Sequence, residues 1–461
     1  MSNSRIIIIG AGPGGYVAAI RAAQLGGDVT IIEEDKIGGT CLNRGCIPTK
    51  SLLASIEALI LFKQAGEMGI EVEKVTPNFS QIMKRKNKIV SQLRGGVDSL
   101  LKMNKVKVIR GRASFFNPHK IHIETDVGTE KLEGEKIIIA SGSKPLILPF
   151  LDFTHPAVLT SEQALELEEI PESLLIVGGG VIGCEFACIF NPLGTKITIV
   201  EMMEQILPTE DKRVAQTIER ILKKRGINIF TRTKLEEIIE YRKNGVTAKL
   251  DNGEKIRAEK ILVCVGRSPC SENLGLENLP LRISQKGNII VNEKMETSQE
   301  GIYAIGDVVG EYLLAHVAFE EGIIAAENSA ELTSRIDYTS VPSCIFTYPE
   351  IGTVGLTLDK AKEKGIEAKI ARFPFIASGK AHTIGETDGF VQLVVRESDD
   401  RILGGQIVGP HATDLVHEIA LAIRWGLTAE QISSTIHAHP TLSEAIMETA
   451  KKAEGKPIHL V

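Results

Sequence analysis

Apolar positions in this chain fall into short β-branched runs that end on a glycine or a carboxylate, separated by stretches with helical spacing. The first run, Arg5-Ile6-Ile7-Ile8-Ile9, passes straight into Gly10; an Ala-rich helical segment follows, and a second strand ends at Glu33. The same succession returns from Leu174, through a strand that ends at Glu201. Two more strands, starting at Ile137 and Ile261, end in Gly142 and Gly266. Strands alternating with helices in this way predict an α/β fold. A late apolar strand, Ile302-Tyr303-Ala304-Ile305, leads to Asp307 and suits a return to the first domain. From about Tyr338 the texture changes. Strands such as Phe390–Val395 precede an amphipathic helix near 411–425, which predicts a terminal α+β domain.

The glycines at the strand ends follow a spacing. Gly10-x-Gly12-x-x-Gly15 stands between the first strand and its helix. The first glycine allows a tight turn, the second lets a pyrophosphate reach the backbone, and the third lets helix and strand pack closely. The helix amino end then holds phosphates, and Glu33 can accept a ribose hydroxyl. Gly178, Gly180, Gly183 and Glu201 repeat the pattern, and Gly10 to Gly178 spans the same 168 residues as Glu33 to Glu201. Two complete fingerprints imply two dinucleotides; the competing explanation is an accidental Gly-rich turn in each half. From Glu33 to Gly142 is 109 residues, against 65 from Glu201 to Gly266, so the first unit carries 44 more.

That extra length contains Cys41 and Cys46, in Gly38-Gly39-Thr40-Cys41-Leu42-Asn43-Arg44-Gly45-Cys46-Ile47-Pro48-Thr49-Lys50-Ser51. Pro48 predicts a helix beginning near it, with Cys46 at the amino end, where backbone N–H groups and the helix dipole stabilise a thiolate. An ideal helix would hold residues five apart at roughly 8.6 Å between Cα atoms, beyond the roughly 7 Å a disulfide tolerates. If the two cysteines bond, the backbone here is bent, and Gly45 permits the bend. Spacing alone leaves a labile disulfide and two unrelated loop thiols equally open.

Length and charge add context. At roughly 150 residues per domain, 461 residues suggest three domains. A net charge of −6 argues against nucleic acid or an anionic membrane as partner. Seven cysteines in so long a chain fit a reducing compartment. No targeting segment precedes the first strand and no apolar run of membrane-spanning length is evident, so a soluble cytoplasmic protein is expected. No metal site is expected. The markers divide the chain at 1–144, 145–271, 272–338 and 339–461. Lys144-Pro145 to Pro171 reads as a crossing linker, and Asn191-Pro192 is expected to cut short the helix before Gly194.

Together GGTCLNRGCIPTK, YAIGD, FTYPEIGTVGLT and HAHPTLSE resemble the flavin-dependent pyridine nucleotide–disulfide oxidoreductases, nearly end to end. That resemblance implies two Rossmann-like domains, for FAD and NAD, and a C-terminal α+β dimerisation domain. It assigns FAD to Gly10, Gly12, Gly15 and Glu33, with Ala113 near the adenine, Asp307 on the ribityl chain, and Ala315 and His316 close to the ring. Ser141, Gly142 and Gly266 complete the cofactor-lining set. Without the resemblance, Asp307 reads as a helix N-cap. A nicotinamide cofactor falls to Gly178, Gly180, Gly183 and Glu201. A carboxylate repels a 2′-phosphate, and residues 201–207 hold no arginine to receive one, which favours NAD.

The resemblance also makes Cys41–Cys46 a redox disulfide and pairs Lys50 with Glu185 beside the flavin; otherwise each is a solvated helical charge. Thr441 and Glu444 form a Thr-x-x-Glu capping-box pattern, with His439-Pro440 as the turn before the helix. Under the resemblance His439 is instead the acid–base, Glu444 orients it, and the histidine serves the disulfide of the other subunit of a homodimer. The implied chemistry is oxidation of protein-bound dihydrolipoamide with reduction of NAD⁺. Implied partners are lipoyl domains and the acyltransferase core of a 2-oxoacid dehydrogenase-type complex, or the glycine cleavage lipoyl protein. Competing readings are a reductase of another small disulfide and a non-catalytic flavoprotein subunit. The absence of a carboxy-terminal thiol pair counts against mercuric reductase and large thioredoxin reductase. Cys184 and Cys270 have no evident redox partner.

Overall fold

A computed structural model of the chain describes residues 4–460, in two compact units. The first comprises residues up to Pro149, Leu159–Ile170 and Val265–Ile336. At its centre β1 (Arg5–Ile9) pairs in parallel with β2 (Asp28–Glu33) on one side and with Lys136–Ile139 on the other. β3 (Lys107–Arg110) adds beyond β2, and Ile302–Ala304 beyond Lys136–Ile139, so the late strand does join this sheet. After the exposed Arg5, β1 is apolar from Ile6 to Ile9 because both its faces are covered there. Ile6 and Ile8 face a helical layer with Ala18, Ala19 and Ala22, while Ile7 and Ile9 face Ala113, Phe115, Ile121 and Ile123 of a three-stranded antiparallel sheet.

The helical layer contains α1 (Pro13–Gln24) and the helix Ala315–Ser329. They cross closely: a Cβ on Gly322 would stand 2.5 Å from the Gly14 carbonyl oxygen. The cysteine-bearing segment forms α2 (Gly39–Arg44) and α3 (Cys46–Lys63), followed by α4 (Phe79–Met103). By length and apolarity residues 39–63 meet the measure of a membrane span, which corrects the expectation that no stretch would. Their interruption at Gly45 and the burial of Leu52, Leu53, Ile56 and Leu59 within the unit make α3 a core helix.

The second unit comprises Phe150–Val158, Pro171–Cys264 and the chain from Asp337 onward. Ser173–Val177 pairs in parallel with Lys196–Val200 and Lys260–Val263, and Lys196–Val200 with Asn228–Phe230. The helix Val181–Phe190 ends at Asn191, and a single 3₁₀ turn, Asn191–Leu193, leads to Gly194, so Asn191-Pro192 shortens it as anticipated. Beyond Asp337 five antiparallel strands lie in the order Pro342–Ile345, Glu350–Gly355, Ile402–Gly409, Phe390–Arg396 and Ala368–Pro374. Helices Ala412–Arg424 and Glu444–Ala453 contribute Val416, Ile419, Ile446 and Ala450 to a core shared with Val391, Leu393 and Ile407. The segment read as a linker is partly ordered, holding a short helix, Ser161–Ala164, with a Thr160/Gln163 capping box.

Candidate active site

Gly45 separates α2 from α3, and the break brings Cys41 and Cys46 to a Cα separation of 4.6 Å, joined by a disulfide. A Cβ at position 45 would lie 3.1 Å from the Thr40 carbonyl oxygen, tighter than ordinary contact. The Gly45 carbonyl accepts from both the N–H and the hydroxyl of Thr49, so α3 begins at the cysteine itself, ahead of Pro48. Asn43 donates to the Ile37 and Gly39 carbonyls, and Arg44 pairs with Asp35, which secures the short α2. Cys46 is therefore at the amino end of an 18-residue helix, where partial positive charge favours a thiolate.

This disulfide segment is packed on the first glycine turn. Gly38 N–H donates to the Ala11 carbonyl, and a Cβ on Gly39 would fall 2.5 Å from Gly12 Cα. Gly10 adopts φ +99°, and a Cβ on Gly15 would overlap the Gly10 carbonyl oxygen at 1.9 Å. Gly12 differs: the nearest atom to an added Cβ is Gly39 Cα, at 3.9 Å. Packing within the chain therefore does not require a glycine there, and the turn keeps an open face at the uncapped amino end of α1. One Glu33 oxygen accepts from Ala11 N–H at 2.7 Å, the other from Asp35 N–H at 2.8 Å. Burial is the largest influence on Glu33 and raises its pKa despite the Ala11 hydrogen bond.

Asp307 is in a short 3₁₀ turn capped by Ile305, so it is not an N-cap. It accepts from the Ser143 hydroxyl, and Ser143 in turn accepts from Arg267 Nε at 2.7 Å. Sequence reading passed over Ser143 and Arg267 because 124 residues separate them. Ser141 Oγ is buried with no hydrogen-bond partner, and Gly142 adopts φ +73°. Ala113 is buried, and Ala315 and His316 open their helix. An open glycine turn, an orphaned hydroxyl and a carboxylate at the strand end fit a dinucleotide.

The second fingerprint repeats the first. Gly178 has φ +103° and a Cβ on Gly183 would come within 2.1 Å of its carbonyl oxygen, whereas Gly180 has no atom within 4 Å of an added Cβ. Glu201 accepts from the N–H groups of Gly179 and Met203, each at 2.7 Å. Residues 201–207 do lack arginine, but folding brings Arg232 beside them: its N–H donates to the Met203 carbonyl and its guanidinium pairs with Glu204 at 2.5 Å. Gly266 adopts φ +119°. Lys50 lies one turn beyond Cys46 on α3, in the first unit; Glu185, in the second, is buried and accepts from Phe346 N–H at 3.0 Å.

His439 is highly exposed, and its Nδ1 lies 2.9 Å from Glu444 Oε1. Glu444 Oε2 accepts from Thr441 N–H at 2.8 Å. The capping-box pattern is half realised, since the Thr441 hydroxyl donates instead to the Ala438 carbonyl. Two carboxylate oxygens let Glu444 serve the helix start and the histidine together. A carboxylate only accepts, so Nδ1 carries a proton, and in the neutral ring the lone pair is then on Nε2.

The chain belongs to the pyridine nucleotide-disulphide oxidoreductases, matching that family over residues 4–322 and its dimerisation domain over 341–450. Members use FAD and a nicotinamide dinucleotide, and so does this chain. It is 44% identical to the dihydrolipoyl dehydrogenase of Bacillus subtilis (strain 168), with 98% of each chain covered. It is also 44% identical to that of Geobacillus stearothermophilus, over 100% of this chain and 98% of the other. Among solved structures, LpdA from Mycobacterium tuberculosis matches with a TM-score of 0.91 and 29% identity, covering 97% of this chain and 99% of that one.

Proposed function

We propose that this protein oxidises dihydrolipoamide carried on a partner protein and reduces NAD⁺, working as a homodimer with FAD. The observation that carries the reading is the Cys41–Cys46 disulfide at the head of α3, beside the first glycine turn. His439 Nε2 takes a proton from one thiol of the substrate, an exchange suited to an imidazole near neutral pH. The substrate thiolate attacks Cys41 Sγ, the Cys41–Cys46 bond breaks, and Cys46 leaves as a thiolate stabilised by the helix end. The second substrate thiol, deprotonated in turn, attacks its own sulfur partner bound to Cys41. That closes the product disulfide and releases the Cys41 thiolate. FAD, which the Gly10–Gly15 turn, Glu33 and Asp307 would hold, would supply the two-electron acceptor between the reduced Cys41 and Cys46 and NAD⁺.

FAD is assigned to the turn at Gly10, Gly12 and Gly15 with Glu33, Ala113, Ser141, Gly142, Asp307, Ala315 and His316. NAD is assigned to Gly178, Gly180, Gly183 and Glu201; Gly266, Lys50 and Glu185 are proposed as further residues for the cofactors. Glu444 orients His439 toward the partner subunit's disulfide. The partners proposed are lipoyl domains and the core of a 2-oxoacid dehydrogenase-type complex, which the relatives' shared name supports, and the proposed location is the cytoplasm. Mixing FAD-loaded protein with dihydrolipoamide and NAD⁺ should produce NADH and lipoamide in equal amounts. Absence of NADH while the flavin is bound would refute the assignment.

A further inference from the structure

In the stretch Ser434–Pro440 every residue is exposed except His437, whose side chain is only 7% exposed. Its Nδ1 lies 2.8 Å from the Thr435 carbonyl oxygen and its Nε2 lies 2.9 Å from Glu418 Oε1, on the helix Ala412–Arg424. Two residues on, His439 is turned to solvent, and its ring is held by Glu444. We propose that His437 and Glu418 anchor this exposed stretch to the neighbouring helix and are positioning residues for proton transfer by His439.

The inference rests on the acid–base role of His439 in the proposed function. A carbonyl and a carboxylate both accept, so satisfying the two contacts takes two N–H donors on His437, and Glu418 supplies the balancing charge. The anchor is a pair of hydrogen bonds on a side chain withdrawn from water, where losing one partner strands the other. Thr435 is itself tied down, its hydroxyl donating to the Gln431 carbonyl at 2.7 Å. Thr441 closes the other end, donating to the Ala438 carbonyl. Held at 435, 437 and 441, the backbone at 439 has little freedom left. Releasing 437 would let Nε2 wander from the reacting thiol, and proton transfer is sensitive to such misplacement.

Three variants test this on FAD-loaded protein, with NADH-to-dye turnover as the control for folding and flavin reduction. Glu418→Ala should lower dihydrolipoamide kcat by about tenfold or more, part of the loss a missing acid–base causes, with dye turnover nearly unchanged. Glu418→Gln should recover most of it, because the amide can donate to Nε2 of a neutral His437 while Nδ1–H still meets Thr435. Placed in a His439→Gln background, Glu418→Ala should add no further loss, since it acts through His439. Wild-type rates in Glu418→Ala, a parallel fall in dye turnover, or full additivity with His439→Gln would each overturn the anchor. Should Glu418→Ala not retain flavin, His437→Gln carries the same comparisons. If His439→Gln lowers dithiol turnover as expected and Glu418→Ala does not, the anchor alone falls. Wild-type protein inert toward dihydrolipoamide would bring down both readings.

Discussion

Glu33 and Glu201, 168 residues apart, make the same pair of hydrogen bonds. Glu33 ends its strand and Glu201 directly follows Val200, the end of its own, and each accepts from the N–H between the first two fingerprint glycines. Its other oxygen takes the N–H two residues further on. The carboxylate is thereby fixed against the glycine turn, which would lower the ordering cost of binding a ribose hydroxyl there.

This geometry bears on cofactor choice. Glu201 is buried, and the Arg232 guanidinium that folding brings to its loop is paired with Glu204. NAD⁺ should be preferred to NADP⁺ in kcat/KM, and Glu204→Ala, by freeing Arg232, should narrow the preference. Comparing both cofactors in both proteins checks this, and an NADP⁺ preference in the wild type would contradict it.

The glycines separate packing from ligand room. Gly183→Ala puts a Cβ 2.1 Å from the Gly178 carbonyl oxygen and should destabilise its unit by about 1–3 kcal/mol or more. Gly180→Ala meets no atom of the chain within 4 Å, so it should spare stability and weaken NADH binding. Thermal melts alongside NADH titrations distinguish the two. Equal melting losses would remove the distinction.

Cys41→Ser should leave FAD bound and Cys46 free as a thiolate at the head of α3. Dihydrolipoamide oxidation should vanish while NADH-to-dye transfer persists. Dithiol turnover by this variant would show that Cys41 is not the sulfur attacked.

His439→Gln should cut dithiol turnover by ~10²–10⁴, the range for a lost acid–base group, and affect flavin reduction by NADH much less. Mixing it with Cys41→Ser and allowing subunits to exchange should restore up to about half activity per mixed dimer, one site carrying both defects and the other neither. Exchange proven by mass without recovered activity would place His439 and the cysteines in the same subunit's site.

The pH response of Glu444 has a defined sign. Burial, the largest single influence, raises its pKa, but the Thr441 N–H and the hydrogen bond and charge of His439 together outweigh it, leaving the carboxyl lowered. A carboxyl lowered on folding contributes stability above its unfolded pKa, and that contribution is lost as pH falls through the folded value. Unfolding free energies of wild type and Glu444→Gln should differ most above the ordinary carboxyl range and converge as pH falls through and below it. A gap that widens on acidification would contradict this.

The fingerprints, the strand ends at Glu33 and Glu201, and the helix after Cys46 were legible in the sequence because each is set within some thirty residues by local sterics and periodicity. Beta-branched runs, a glycine that must turn, and a proline in a first turn carry their geometry with them. The Thr441-x-x-Glu444 pattern was legible but ambiguous, since spacing cannot say which group a two-oxygen carboxylate will meet; the fold gives it both. Whether Cys41 and Cys46 bond was likewise open until the backbone at Gly45 left the helical path and brought them to 4.6 Å. The remaining relationships belong to tertiary structure alone. Arg267 reaches Ser143 across 124 residues, Arg232 reaches Glu204 across 28, and His437 reaches Glu418 from a different helix connection. Such partners are chosen by where sheets and helices pack, and a side chain's own propensities carry no record of that choice.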